Sequence, residues 1–152
     1  MFLTTHAAAA LYVGTQVHDP LLALAIGFAS HFVMDAVPHG DETLGSHHIT
    51  TRGKYFYLAK VAFVDLFLAG SLVFFYMHRR PEVDRLVVAA AAFGSWLPDF
   101  LWLANRLLKI KILTFYTRMH DRIHELINWQ FSPVYGVPFQ IIITILFMKM
   151  LF

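Results

Sequence analysis

Nine histidines and ten acidic residues are spread unevenly along these 152 residues, and those that could do chemistry stand inside or beside apolar stretches. His31 and Asp35 lie four apart in one apolar run, Asp99 lies in another, and His120 and His124 lie four apart in a later mixed segment. Residues four apart on an α-helix share a face, about 6 Å apart along the axis at roughly 1.5 Å per residue. An imidazole and a carboxylate so placed can share one cation. Ionisable groups at bilayer depth are costly and normally face a bundle interior or a polar cavity. A divalent-metal centre is the leading expectation.

Three motifs carry it. In His31-Phe-Val-Met-Asp35-Ala-Val-Pro-His39, the proline ends the helix and places His39 as a third donor just beyond it. The same residues also read as a hydrogen-bonded helix seam followed by a loop histidine. In Gly94-Ser-Trp-Leu-Pro98-Asp99, a proline break aims a carboxylate into the bundle, or the aspartate merely caps a helix. In His120-Asp121-Arg-Ile-His124-Glu125, two imidazoles share a face, with Asp121 or Glu125 placed to act as general base or to orient a ligand. The alternative there is a solvated charged helix. His6 and Asp65 are additional ligand candidates, though Asp65 reads more readily as a hydrogen-bond acceptor behind a ligand or as a partner for Lys60. Arg52, Arg118 and Arg122 are candidates for a substrate phosphate, or else anchors to lipid headgroups.

The chain has no cysteine, so thiolate sites are excluded and any metal must be held by imidazole and carboxylate. His31, Asp35, His39, Asp99, His120 and His124 outnumber the four ligands of one tetrahedral zinc. That surplus favours two ions sharing an aspartate, with zinc expected first and manganese as the alternative.

The elements that must position these residues are helices in a membrane. Hydrophobic residues make up 58% of the chain and charged residues 14%, with a mean hydropathy of +0.58. An all-α integral membrane bundle of a single domain, 1–152, is expected. Five apolar segments can be drawn, at 2–17, 21–37, 55–77, 86–104 and 134–152, with an interfacial amphipathic segment between 105 and 133. The first lacks a basic start and a small-residue cleavage site, so it reads as a helix rather than a signal peptide. Alternating five spans across the bilayer brings every candidate ligand except Asp65 toward one face. That face also carries Arg52, Lys54, Arg106, Lys109, Lys111, Arg118 and Arg122, against Arg79, Arg80, Arg85 and Lys149 on the other. The bias makes the ligand face cytoplasmic. Polar residues gathered at one end argue against a through-path for ions, and no basic stripe with interleaved aromatics supports nucleic-acid binding.

Thr5-His6, the His31-x-x-x-Asp35-x-x-Pro38-His39 block, Leu97-Pro98-Asp99 and the late histidine pair together resemble small membrane-bound metal-dependent hydrolases, described as LexA-binding and inner-membrane-associated. The His-x-x-x-Asp spacing is also similar to that of zinc-dependent phospholipase C and the single-strand-specific zinc nucleases. After Leu-Pro-Asp this chain reads Phe100-Leu101-Trp102, without the His-rich block of many such hydrolases. The resemblance implies an inner-membrane location, a metal site and hydrolysis. A site opening at the lipid headgroups makes a phospholipid or lipid-linked phosphoester the expected substrate. The alternative function is a non-catalytic metal-binding scaffold or a membrane partner of a soluble regulator, and homo-oligomerisation stays open.

Overall fold

A computed structural model describes residues 1–41, 43–127 and 132–152. Among the described residues the regular elements are helices: α1 (Leu3–Gly14), α2 (Pro20–Asp35), α3 (Thr51–Arg79), α4 (Arg85–Leu108), a 3-10 turn (Lys111–Leu113), α5 (Thr114–His124) and α6 (Pro133–Leu151). Side-chain caps fix where four of them begin. Asp19, Thr50, Asp84 and Ser132 accept from the backbone N–H groups of Leu22, Gly53, Leu86 and Val134, and Pro20 and Pro133 stand in the first turn, where a proline costs no hydrogen bond. α4 ends at Lys109, whose φ of 51° is left-handed.

Of the five spans expected, three helices among the described residues are long and apolar enough to cross a bilayer: α3, α4 and α6. α1 has 12 residues and α2 has 16, so they reach only about 18 and 24 Å at roughly 1.5 Å per residue. The hydrocarbon core is about 30 Å thick. The segments drawn at 2–17 and 21–37 overran because the polar turns at Thr15–Val17 and Ala36–His39 leave the helix early. The interfacial segment contains α5 and the 3-10 turn, and its end, 128–131, lies outside the described residues.

The packing is small inside and large outside. Ala7 to Ala10, Ala23, Ala69, Ala91 and Ala92 are buried, while Phe63, Phe67 and Phe74 are 67–74% exposed. Helices that face lipid gain nothing by hiding phenylalanine and associate through small residues that let backbones approach. The tightest seam joins α2 to α4. A Cβ on Gly27 would stand 2.2 Å from the Ala91 carbonyl oxygen, and one on Gly94 would stand 2.2 Å from that of Leu24. This pattern is compatible with membrane association. It also brings His31, Asp35 and Asp99 to one end of the seam.

Two contacts set the start of α1. Asp65 of α3 accepts from the N–H groups of Leu3 (2.6 Å) and Thr4 (3.1 Å) and from the Thr4 hydroxyl (2.7 Å), acting as a cap supplied by another helix. Gln140 of α6 accepts from the Phe2 N–H at 2.7 Å and donates to the His39 carbonyl at 2.8 Å, tying that start to the loop after α2.

Candidate metal centre

Asp35, in the last turn of α2, is the hub. Its side chain is wholly buried, with Oδ2 2.8 Å from His31 Nε2 and 3.0 Å from His124 Nε2, and Oδ1 3.1 Å from His6 Nε2. His120 and Asp99 complete one group of four with His31 and Asp35, while His39 and His124 form a second group with Asp35. Within each group the donor atoms all lie within 4.8 Å of one another. The six residues singled out from the sequence are thus brought together, and one carboxylate belongs to both groups.

Hydrogen bonding aims the imidazoles. His31 Nδ1–H donates to the Ser95 carbonyl at 2.8 Å, which leaves its Nε2 lone pair toward the cluster, and His39 Nδ1–H donates to that of Val37 at 2.7 Å, which turns its Nε2 toward Met1 and Asp41. Ser95 stands in the α4 turn that Pro98 disturbs: the proline gives no N–H to the preceding turn, and its ring crowds the carbonyls there. The break expected at Pro98 does not occur, since α4 runs through it as one helix, and Asp99 in the next position, with its side chain 31% exposed, lies 3.5 Å from His120 Nε2 and 3.8 Å from His31 Nε2.

The donor set asks for a cation. With the proton of His31 on Nδ1, its Nε2 faces Asp35 Oδ2 at 2.8 Å and His120 Nε2 at 3.2 Å, so lone pairs confront one another across a buried space. Only a shared proton or a metal ion relieves that arrangement. A zinc ion with bonds of about 2.0–2.1 Å sets tetrahedral ligand atoms roughly 3.3 Å apart. Separations within the first group run from 2.8 to 3.9 Å and so bracket that value. Both ring nitrogens of His6, Oδ2 of Asp35 and Nδ1 of His120 are buried without a hydrogen-bond partner among the described residues. Oxygen and imidazole donors, desolvated and short of partners, fit a divalent ion.

In the second group the positive charge is the amino-terminal nitrogen of Met1, 2.7 Å from Asp35 Oδ1, 2.9 Å from His39 Nε2 and 3.3 Å from Asp41 Oδ2. Asp41 also lies 2.9 Å from His39 Nε2. Burial alone would raise the Asp41 carboxyl, but the nearby ammonium and His39 outweigh it and hold the group below the usual carboxylate range. Burial likewise disfavours a charged His39, and the hydrogen bond to Asp41 reverses that, raising its pKa.

The other candidates divide. His6 joins the cluster, its ring stacked on that of His31 with centroids 4.0 Å apart. Asp65 does not, because its oxygens serve the start of α1, and Lys60 lies over the Phe56 ring rather than being held as its partner. A cavity of about 590 Å³ opens on the centre, lined by His120 and His124 together with Asp121, Glu125, Lys54 and Arg106. Asp121 is engaged, accepting from Trp102 Nε1 at 2.7 Å and from Arg106 at 2.9 Å. Glu125 is exposed at the end of α5. Arg52, Arg118 and Arg122 are exposed and do not line the cavity; its cations are Lys54 and Arg106. Lys54 lies two residues from Arg52, about 200° around a helix of 3.6 residues per turn, so the two project from different faces of α3.

Sequence reasoning passed over Asp41, Gln140 and the Ser95 carbonyl. The spacing His39-Gly40-Asp41 could have flagged Asp41, since Gly40 with a φ of 74° folds the chain back on itself. Nothing in the sequence flags a carbonyl or a glutamine 101 residues away from the loop it holds. Compared with protein-family models, curated proteins and solved structures, the chain has no match.

Proposed function

We propose that this protein is a membrane-embedded metal-dependent hydrolase that cleaves a phosphoester at the membrane surface, with two divalent ions, zinc first among them, sharing Asp35. The observation that carries the reading is the pair of donor groups meeting at one buried carboxylate beneath an open, partly polar cavity. His31, Asp35, Asp99 and His120 would hold one ion, and Asp35, His39 and His124 would hold the other by displacing the Met1 ammonium that stands against Asp35 and His39, with His6 beside Asp35. Divalent ions there would supply Lewis acidity and a bound water whose pKa falls toward neutrality.

The remaining work falls to the chain itself. Glu125, exposed at the cavity edge, is the better placed general base, because both Asp121 oxygens already accept hydrogen bonds. Asp121 in turn holds Arg106 beside the cavity. Lys54 and Arg106 stand where they can bind the non-bridging oxygens of a phosphoester and orient it. The resemblance to inner-membrane hydrolases and the excess of lysine and arginine on the ligand end support a cytoplasmic membrane face for this reading.

Elemental analysis of detergent-purified protein tests it, alongside hydrolysis of bis(p-nitrophenyl) phosphate. The reading expects two ions per chain, loss of one in His120→Ala and in His124→Ala, and loss of hydrolysis in Glu125→Gln with the metal retained. Stoichiometric metal without hydrolysis of any phosphoester supports the scaffold role instead. Absence of metal after purification in zinc-supplemented buffer refutes both.

A further inference from the structure

A second cavity, of about 470 Å³, lies between α3 and α6, which each pack along α1. Its walls are apolar, including Val61, Val64 and Leu68 on one side and Val137, Ile141 and Ile145 on the other. Both flanking helices are long and apolar enough to cross a bilayer, so the groove lies between two candidate membrane spans.

The groove and the metal-site cavity share one wall. Along α3, Lys54 and Leu58 line the cavity over the metal centre, and Val61, Asp65 and Leu68 line the groove. Steps of four, three, four and three residues keep all five on one helical face, so a single stripe runs from one space to the other. The start of α1 repeats the arrangement, with Met1 lining the cavity and Phe2 lining the groove. Lys60, also lining the groove, has Nζ 4.4 Å from the Phe56 ring centroid, one turn nearer the start of α3.

We propose that the groove between α3 and α6 holds a hydrocarbon chain of the substrate, so that the substrate is a membrane lipid whose phosphate sits among Lys54, Arg106 and the metal centre. The inference rests on the hydrolase reading for its chemistry and on the shared α3 face for its geometry. An amphiphile needs an apolar slot continuous with a polar pocket, and this stripe passes from a lysine at one end to valine and leucine at the other. A soluble phosphoester would use the cavity alone.

Trp substitutions that fill the groove provide the test. Val64 and Ile141 are 54% and 52% exposed, so Val64→Trp and Ile141→Trp can place an indole across the slot without displacing buried neighbours. Delipidated protein in detergent is incubated with dioleoylphosphatidylglycerol or with glycerol phosphate, and bound ligand is counted by native mass spectrometry. Metal content and hydrolysis of bis(p-nitrophenyl) phosphate are measured on the same samples.

The expected result is retention of the lipid by the wild type and roughly tenfold weaker retention in both variants, equivalent to about 1.4 kcal/mol. Metal and soluble-substrate hydrolysis stay unchanged. Equal lipid retention in wild type and variants overturns the proposal, as does glycerol phosphate binding as tightly as the lipid. Lipid retention that falls in the variants while the wild type hydrolyses nothing keeps the groove assignment and refutes the hydrolase reading alone.

Discussion

Asparagine at position 35 separates a shared-ligand centre from a set of independent histidines. Asp35 Oδ2 faces His31 at 2.8 Å, His124 at 3.0 Å and His120 at 3.9 Å, so one oxygen serves members of both donor groups. Asp35→Asn keeps the shape and replaces an anionic oxygen with either a neutral one or an N–H donor directed at imidazole lone pairs. Structural zinc sites bind with about 10–16 kcal/mol of apparent free energy, so one ligand in four corresponds to roughly 3 kcal/mol, or about a hundredfold in affinity. Because Asp35 belongs to both groups, both ions should weaken by about that factor. His120→Ala and His124→Ala should each weaken one. Competition against a chromophoric zinc chelator, with elemental analysis after desalting, gives two affinities per protein. Two unaltered affinities in Asp35→Asn, with helicity retained by circular dichroism, would refute the bridging role. A loss confined to one ion would reduce Asp35 to an ordinary ligand of a single site.

Three further outcomes follow from the geometry. Asp65→Ala strips the start of α1 of three hydrogen bonds to a carboxylate, each worth about 1.5–3 kcal/mol and not additive. A loss of roughly 3 kcal/mol is expected in thermal unfolding, with metal stoichiometry unchanged in the folded fraction; loss of metal at full stability would make Asp65 a ligand after all. Gly27→Ala puts a Cβ about where the Ala91 carbonyl oxygen stands and should cost about 1–3 kcal/mol or more and disturb the centre, whereas Gly70→Ala, with nothing within 4 Å, should be neutral or slightly stabilising; equal melting points would show that the α2–α4 seam is not close-packed. In metal-free protein His39 titrates above the ordinary value of about 6.5, so its partnership with Asp41 contributes stability that is fully present below that value and is lost as pH rises through the raised pKa. Asp41→Asn should bring the His39 ring titration, followed by NMR, back toward or below 6.5, and an unmoved titration would remove Asp41 as the cause.

Local chemistry picked out the candidate donors that the fold brings together, but not how the helices pack around them. His31 with Asp35, and His120 with His124, announce themselves because a four-residue step is a property of one helix. Pro98 announces Asp99 because a proline in an apolar helix needs a reason. What a linear reading could not supply is which face of each helix meets its neighbour. Asp65 sits in an apolar run as Asp35 does, yet it serves the start of α1, since α3 passes that start rather than the α2–α4 seam. Arg52, Arg118 and Arg122 carry the right fork for phosphate but point to the outside, while Lys54 and Arg106 line the cavity. Five spans are not confirmed because hydropathy measures how apolar a segment is and not how long its helix runs, and α1 and α2 stop at 12 and 16 residues.

That shortness explains why the centre sits where it does. Two short helices cannot reach across a bilayer, so the ends of α1 and α2 stop inside the bundle and deliver His6, His31 and Asp35 below the surface. The glycines and alanines of the α2–α4 seam let backbones approach until imidazole and carboxylate meet with no room for a solvent shell. A desolvated carboxylate facing lone pairs is a destabilising arrangement in isolation, and it persists only where a positive charge completes it. Lengthening α2 by a turn, or opening its seam with a single methyl, would move Asp35 into water or away from His120. The short helices are in this sense what gathers imidazoles and carboxylates, with the Met1 ammonium beside them, at a place otherwise too costly for them in an apolar bundle.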